Sequence, residues 1–132
     1  MQTKKERNIQ LEHAVLEWNQ TYLNRDSVLT EALVGECFAD QFIVEPNGRR
    51  YEATRRTYKE FLDGMKSTMD SIRYQVTHTV ADEESVVFSM QVQICKSDHA
   101  AENFFAMLLV RFNDSEKISL WHEIYVQQGR LV

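Results

Sequence analysis

Four apolar, β-prone segments of ten or eleven residues fill the second half of this chain, separated by only four to six mostly polar residues, and this spacing limits what it can fold into. The segments are residues 71–80, 85–95, 102–112 and 117–127, and their separators begin at Ala81, Lys96 and Asn113. A parallel crossover needs about a dozen residues between strands, so these neighbours must pair antiparallel as a meander. The first half has a different period. Leu11, Val15, Trp18 and Tyr22 recur at helical spacing, with Leu16 and Leu23 widening the stripe, which predicts an amphipathic helix from about Lys4 to Asn24. Helices first and a long meander afterwards predict an α+β fold.

Local signals fill in the rest. Thr3 and Glu6 have capping-box spacing. Asn24 to Ser27 break the first helix, and Asp26 or Ser27 is the expected cap of a second one carrying Leu29, Ala32, Leu33 and Gly35. Phe38 and Ala39 are expected to close that helical region, followed by β-prone residues Gln41 to Val44 and a turn at Glu45-Pro46-Asn47-Gly48. A third helix from about Thr54 to Met65 would put Tyr58, Phe61, Leu62 and Met65 on one face. A sheet with two apolar faces must curl over these helices or hide one face against a partner.

Composition narrows the partners. The 132 residues suit one domain, 1–132, and the 43% apolar share is enough for a real core. A net charge of −5 disfavours a nucleic-acid binder. No stretch approaches the about 20 apolar residues of a membrane span, and the first residues lack a signal-peptide core, so the chain reads as soluble and cytoplasmic. Cys37 and Cys95 are isolated and read as reduced thiols. His122-Glu123 starts a string that lacks the second histidine of HExxH, and no glycine-rich phosphate loop or GxSxG elbow occurs, so neither metal nor cofactor is expected.

The strands carry the candidate site. Alternation places Tyr74, Val76, His78 and Val80 together on a face read as inward, and Val86, Phe88, Met90, Val92 and Ile94 on the next. The third strand is apolar on both faces, Phe104, Ala106, Leu108 and Val110 against Phe105, Met107 and Leu109. In the last, Ile118, Leu120, His122, Ile124 and Val126 alternate with Ser119, Trp121, Glu123, Tyr125 and Gln127; alternation leaves open which set faces inward, and a bulge would exchange them. His78 is either a base or a hydrogen-bonded core or rim histidine. Glu123, between two large aromatics, is either a carboxyl of raised pKa suited to proton transfer or an interface acid. Arg49-Arg50 and Arg55-Arg56 form a positive patch that salt links to an acidic protein also explain.

The order of these strings resembles the NTF2-like superfamily, within it the SnoaL-like and ketosteroid-isomerase-like group. The strings are YLNRDS after the opening helix, FADQFIVEPNG, TYKEFLDGM and FFAMLLVRFNDSEKISLWHEIY, spread over nearly the whole chain. The resemblance implies a cone-shaped α+β barrel, three N-terminal helices packed against a strongly curved, mainly antiparallel sheet around a pocket, often dimerising through the sheet. Glu45, before Pro46, falls at the group's base position, and Trp18 stands where a tyrosine donor is expected. No acid stands near Phe105 to Leu108, where the second acid would be.

The catalytic candidates are therefore Glu45, His78 and Glu123, with Trp18 as an orienting donor. Tyr58, Tyr74 and Trp121 would orient a ring, and Phe61, Met65, Phe88, Met90, Phe104 and Met107 would line the cavity. The expected function is that of an acid/base isomerase, cyclase or dehydratase acting on a small apolar carbonyl compound. The alternative is a non-catalytic domain that binds a small apolar or aromatic molecule, or a dimeric interaction domain.

Overall fold

Thr3 starts the first helix by accepting the Glu6 amide at 3.1 Å. The computed structural model describes residues 1–128, and from this cap α1 runs over Lys4–Tyr22. Its buried stripe includes Val15, Leu16 and Trp18 but also Asn8, Glu12 and Asn19. Hydrophobic periodicity does not register those three because they are polar. The second helix, α2, is a single turn, Glu31–Val34, capped by Thr30. Neither expected cap serves it: the Ser27 hydroxyl instead donates to the carbonyls of Tyr22 and Asn24. A buried ammonium holds this connection, with Lys66 Nζ donating to Ser27 O at 2.6 Å. The third helix, α3, covers Arg55–Lys66 and starts with a reciprocal Thr54–Thr57 capping box.

Phe38 and Ala39 do not close the helical region; they begin β1, Phe38–Pro46. At its end Asn47 and Gly48 take φ values of 48° and 85°, and Arg49 N donates to Pro46 O at 3.1 Å. This type I′ geometry returns the chain into β2, Tyr51–Thr54. The four expected strands follow as β3 (Met69–Ala81), β4 (Ser85–Lys96), β5 (Ala101–Phe112) and β6 (Ile118–Gln127), each pairing antiparallel with the next.

The full order is β2-β1-β6-β5-β4-β3, with β1 parallel to β6. This corrects the expected cone-shaped barrel. Closure would require β2 to pair with β3, and both remain edges of an open mixed sheet that is not strongly curved. The reason is coverage: α1 packs on β3 and β4 and α3 on β1, β2 and β3, so helices protect one face without the sheet closing on itself.

Two bulges decide which side chains share that face. Val76 pairs with Met90 but His78 with Ser89, so Thr77 is the extra residue in β3. Arg111 pairs with Leu120 but Phe112 with Ile118, so Ser119 is the extra residue in β6. Each reverses the alternation beyond it. Ile118 and Trp121, which alternation assigns to opposite faces, are consequently both buried. The helix-covered face buries Val86, Phe88, Met90, Val92, Ala106, Leu108 and Val110.

Glu12 lies in this core with no exposed surface, and neither of its oxygens has a hydrogen-bond partner among the described residues. Burial pushes its pKa up from 4.5 to about 9. The folded state thus holds a proton that the unfolded chain has released, and stability falls as pH rises from about 4.5 towards 9, by up to ~1.4 kcal/mol per pH unit. We expect Glu12→Gln to be more stable than the wild type at pH 8. Urea titrations at pH 5 and pH 8 should show that advantage shrinking at the lower pH; an equal difference at both would mean that Glu12 is ionised in the fold.

Candidate functional site

Between α3, the end of α1 and the helix-covered face of the sheet lies a cavity of about 240 Å³. Helical spacing on α3 brings Tyr58, Phe61, Leu62 and Met65 to its wall. Tyr74 reaches it from β3, Phe104 from β5, and Trp121, Glu123 and Tyr125 from β6 at strand spacing of two. Tyr58 stacks on Phe61 with centroids 5.9 Å apart, and Phe104 meets Tyr125 edge-on at 5.8 Å.

Three polar groups converge in this aromatic setting. Burial raises the pKa of the Glu123 carboxyl, with hydrogen bonding to Trp121 acting in the opposite direction. Burial also raises the pKa of Tyr58, and the charge of Glu123 adds to the effect. Tyr74 is raised by burial and by Glu123, against a hydrogen bond from Asn19. Asn19 Nδ2 donates to the Tyr74 hydroxyl at 3.0 Å, which leaves the phenolic proton free to be donated elsewhere. One carboxyl that burial keeps protonated to higher pH than usual and two phenols able to donate therefore share one cavity.

The structure does not bring the other two proposed proton carriers to it. Glu45 lies opposite His122 in the β1–β6 register, on the face of the sheet away from Glu123. There its carboxylate meets Arg50 Nη1 at 2.5 Å and His122 Nδ1 at 3.6 Å. The Thr77 bulge turns His78 to the same outer face, where it is exposed with Nδ1 3.2 Å from Thr77 Oγ1.

Among the expected lining residues, Tyr58, Phe61, Met65, Tyr74, Phe104 and Trp121 are on the wall. Phe88 and Met90 are buried in the core without reaching it, and the His13 ring packs against Phe88 at 4.5 Å. Trp18 is also buried away from the wall, its centroid 5.0 Å from that of Tyr22 and its indole N–H without a partner among the described residues. Met107 points out of the opposite face, 58% exposed. The arginine patch is partly taken up by ion pairs, Arg50 with Glu45 and Arg55 with Asp40. Among the described residues no three His, Cys, Asp or Glu side chains are grouped as metal ligands.

Two contributors escape sequence patterning. Asn19 sits between Leu16 and Leu23 at helical spacing, and that position in the stripe was its one signal. Asn47, readable only as a turn residue, also clips β6: its amide donates to Glu123 O at 2.8 Å and its Oδ1 accepts from Tyr125 N at 2.8 Å. The two bonds fix the backbone that immediately follows the Glu123 side chain, from its carbonyl to the Tyr125 amide.

This arrangement is the fold of the NTF2-like proteins, and the likeness to solved structures establishes that resemblance at the level of fold. The LEH-like epoxide hydrolase of M. tuberculosis aligns with a TM-score of 0.74 and 17% identity over 94% of this chain and 86% of that one. An NTF2-like protein from Anabaena variabilis aligns with a TM-score of 0.75 and 14% identity over 98% and 96%. The epoxide hydrolase/cyclase-like enzyme SalBIII, of pyran ring formation in the polyether salinomycin, aligns with a TM-score of 0.71 and 14% identity over 92% of each chain. No family model and no curated protein matches the sequence.

Asn47→Ala removes the Oδ1 acceptor and places a residue poorly suited to φ 48° in the turn. We expect a loss of about 1–2 kcal/mol in urea unfolding, with Asn47→Asp retaining most of the stability. Equal losses in the two variants would show that the clip does not depend on the side-chain oxygen.

Proposed function

We propose that the cavity binds a small apolar or aromatic carbonyl compound and that Glu123 moves a proton on it, as an isomerase, cyclase or dehydratase requires. The observation that carries this reading is the convergence of the Glu123 carboxyl with the Tyr58 and Tyr74 hydroxyls in a mostly apolar, aromatic wall. In its ionised form Glu123 takes a proton from the carbon next to the carbonyl. A tyrosine hydroxyl donates to the oxygen as negative charge develops on it, and Glu123 returns the proton at a second position. The step balances without a cofactor. The roles of the epoxide hydrolase and the cyclase-like enzyme of the same fold support small-molecule chemistry in such a cavity.

Hydrogen–deuterium exchange next to the carbonyl of a small aryl ketone, followed by NMR in D₂O, tests the assignment. Glu123→Gln should slow exchange by about 10²–10⁴-fold while the ketone still binds, and Glu45→Gln, altered on the far face of the sheet, should change neither. Exchange should rise with pH through a midpoint above the ordinary carboxylate range, because the base form is required and burial raises the Glu123 pKa. Wild-type exchange in Glu123→Gln would refute the assignment.

A second reading, an interaction domain that pairs through the sheet, has its own support and is compatible with the first. On the outer face Val80, Phe105, Met107, Ile124 and Val126 are 45–70% exposed. The register puts Met107 beside Ile124 and Phe105 beside Val126, so these side chains form one patch. We propose a homodimer that buries it. Sedimentation should show a dimer for the wild type and a monomer for Met107→Lys; a monomeric wild type at high concentration would refute the pairing.

The remaining assignments follow from charge and thiol chemistry. Both cysteines are free and half-buried, and two unpaired thiols suit a reducing compartment. We place the protein in the cytoplasm. Its acidic balance supports no nucleic-acid partner, and no helix among the described residues is long and apolar enough to cross a membrane.

A further inference from the structure

We propose that the cavity selects a ligand carrying an organic ammonium group, held between its aromatic walls and the Glu123 carboxylate. This inference rests on the reading above only in taking the cavity as the ligand site. Six aromatic side chains contribute to the wall from four elements: Tyr58 and Phe61 from α3, Tyr74 from β3, Phe104 from β5, and Trp121 and Tyr125 from β6. Among the described residues no lysine, arginine or histidine lines it, so the one carboxyl there has no cationic partner on the wall.

Among the described residues, four basic side chains of the surrounding elements are committed elsewhere. Lys59 pairs with Asp63 at 2.6 Å, Lys66 is bound to the carbonyls of Ser27 and Asn24, and Arg50 and His122 meet Glu45 on the other face. The negative field of Glu123 reaches both phenols, whose loss of a proton it opposes.

A neutral ligand would leave Glu123 with two options, to stay protonated or to ionise without a counter-charge in a desolvated site. An anion would meet repulsion. An ammonium group supplies the missing charge and is attracted by aromatic π-systems, which bind quaternary ammonium ions in aromatic cages. At about 240 Å³ the space suits a small amine.

Choline and its neutral isostere 3,3-dimethylbutan-1-ol differ by charge at nearly constant shape, and chemical-shift titrations of the intact protein compare them directly. At pH 8 choline should bind about tenfold tighter than the alcohol. The polar groups that share the wall with Glu123 among the described residues are Tyr58 from α3, Tyr74 from β3, Asn19 from α1, and Trp121 and Tyr125 on its own strand. Tyr58 and Tyr74 stay protonated because burial raises them, so Glu123 is the group expected to respond as pH falls. The preference for choline should shrink at pH 5 and in Glu123→Gln, while affinity for the alcohol stays constant.

Equal or tighter binding of the alcohol at pH 8 would overturn the inference, as would a preference for choline unchanged in Glu123→Gln. If the alcohol and an aryl ketone bind and choline does not, this inference fails and the proton-transfer reading stands. If none of the three binds, the cavity is not the ligand site and both fail.

Discussion

The parallel seam between β1 and β6 is the constraint on which the candidate site depends. It joins a strand from the helical half of the chain to the last strand of the meander, with Val44 opposite Trp121 and Pro46 opposite Glu123. Without that pairing β6 would be an edge strand, and α3, which follows the β1–β2 hairpin, would have no fixed position over it. The Asn47 clip extends the hold past the last paired residue, bonding the backbone at Glu123 and Tyr125 where no further β1 residue pairs. A type I′ turn thus shapes a hairpin on one side and fixes cavity residues on the other.

The faces of the sheet depend on single inserted residues. Thr77 and Ser119 each add one residue to a strand without adding one to its partner. With a side-chain period of two, one extra residue transfers everything beyond it to the other face. In β3 this carries His78 and Val80 outward; in β6 it lets Ile118 fill the core while Trp121, Glu123 and Tyr125 still face the helices. The same alternation leaves Met107 and Ile124 exposed on the outer face, where helices do not cover them.

Polar groups in the buried stripe of α1 divide the helix between structure and site. Asn8 donates to Glu83 O at 3.0 Å and Asn19 to the Tyr74 hydroxyl at the same distance, tying the helix across β3. Glu12, between them, makes no such bond and stays protonated by burial. Asn19 is the member that serves the cavity, because its amide orients a phenol on the wall. Keeping the space beside that phenol open gives up the stabilisation that filling it with apolar side chains would bring.

The class of elements and much of their order were legible in the residues alone. Periodicity identified α1, α3 and the four-strand meander because hydrophobic spacing follows directly from helix and strand geometry. It placed Tyr58, Phe61, Met65, Tyr74, Phe104, Trp121 and Glu123 among the candidates, and the structure gathers all seven on one cavity wall. It misread Phe38 and Ala39 as the end of a helical region, missed β2, and placed His78 inward and Met107 on the wall. Those errors share a cause: strand neighbours, bulges and edges are relations between distant segments, and one chain's local pattern carries no term for them. Tertiary packing alone keeps the sheet open, because helices cover one face while β2 and β3 remain unpaired edges, and it alone sets Glu45 and Glu123 on opposite faces, because that follows from the register of β1 against β6, which is fixed across the whole molecule rather than by any neighbouring residue.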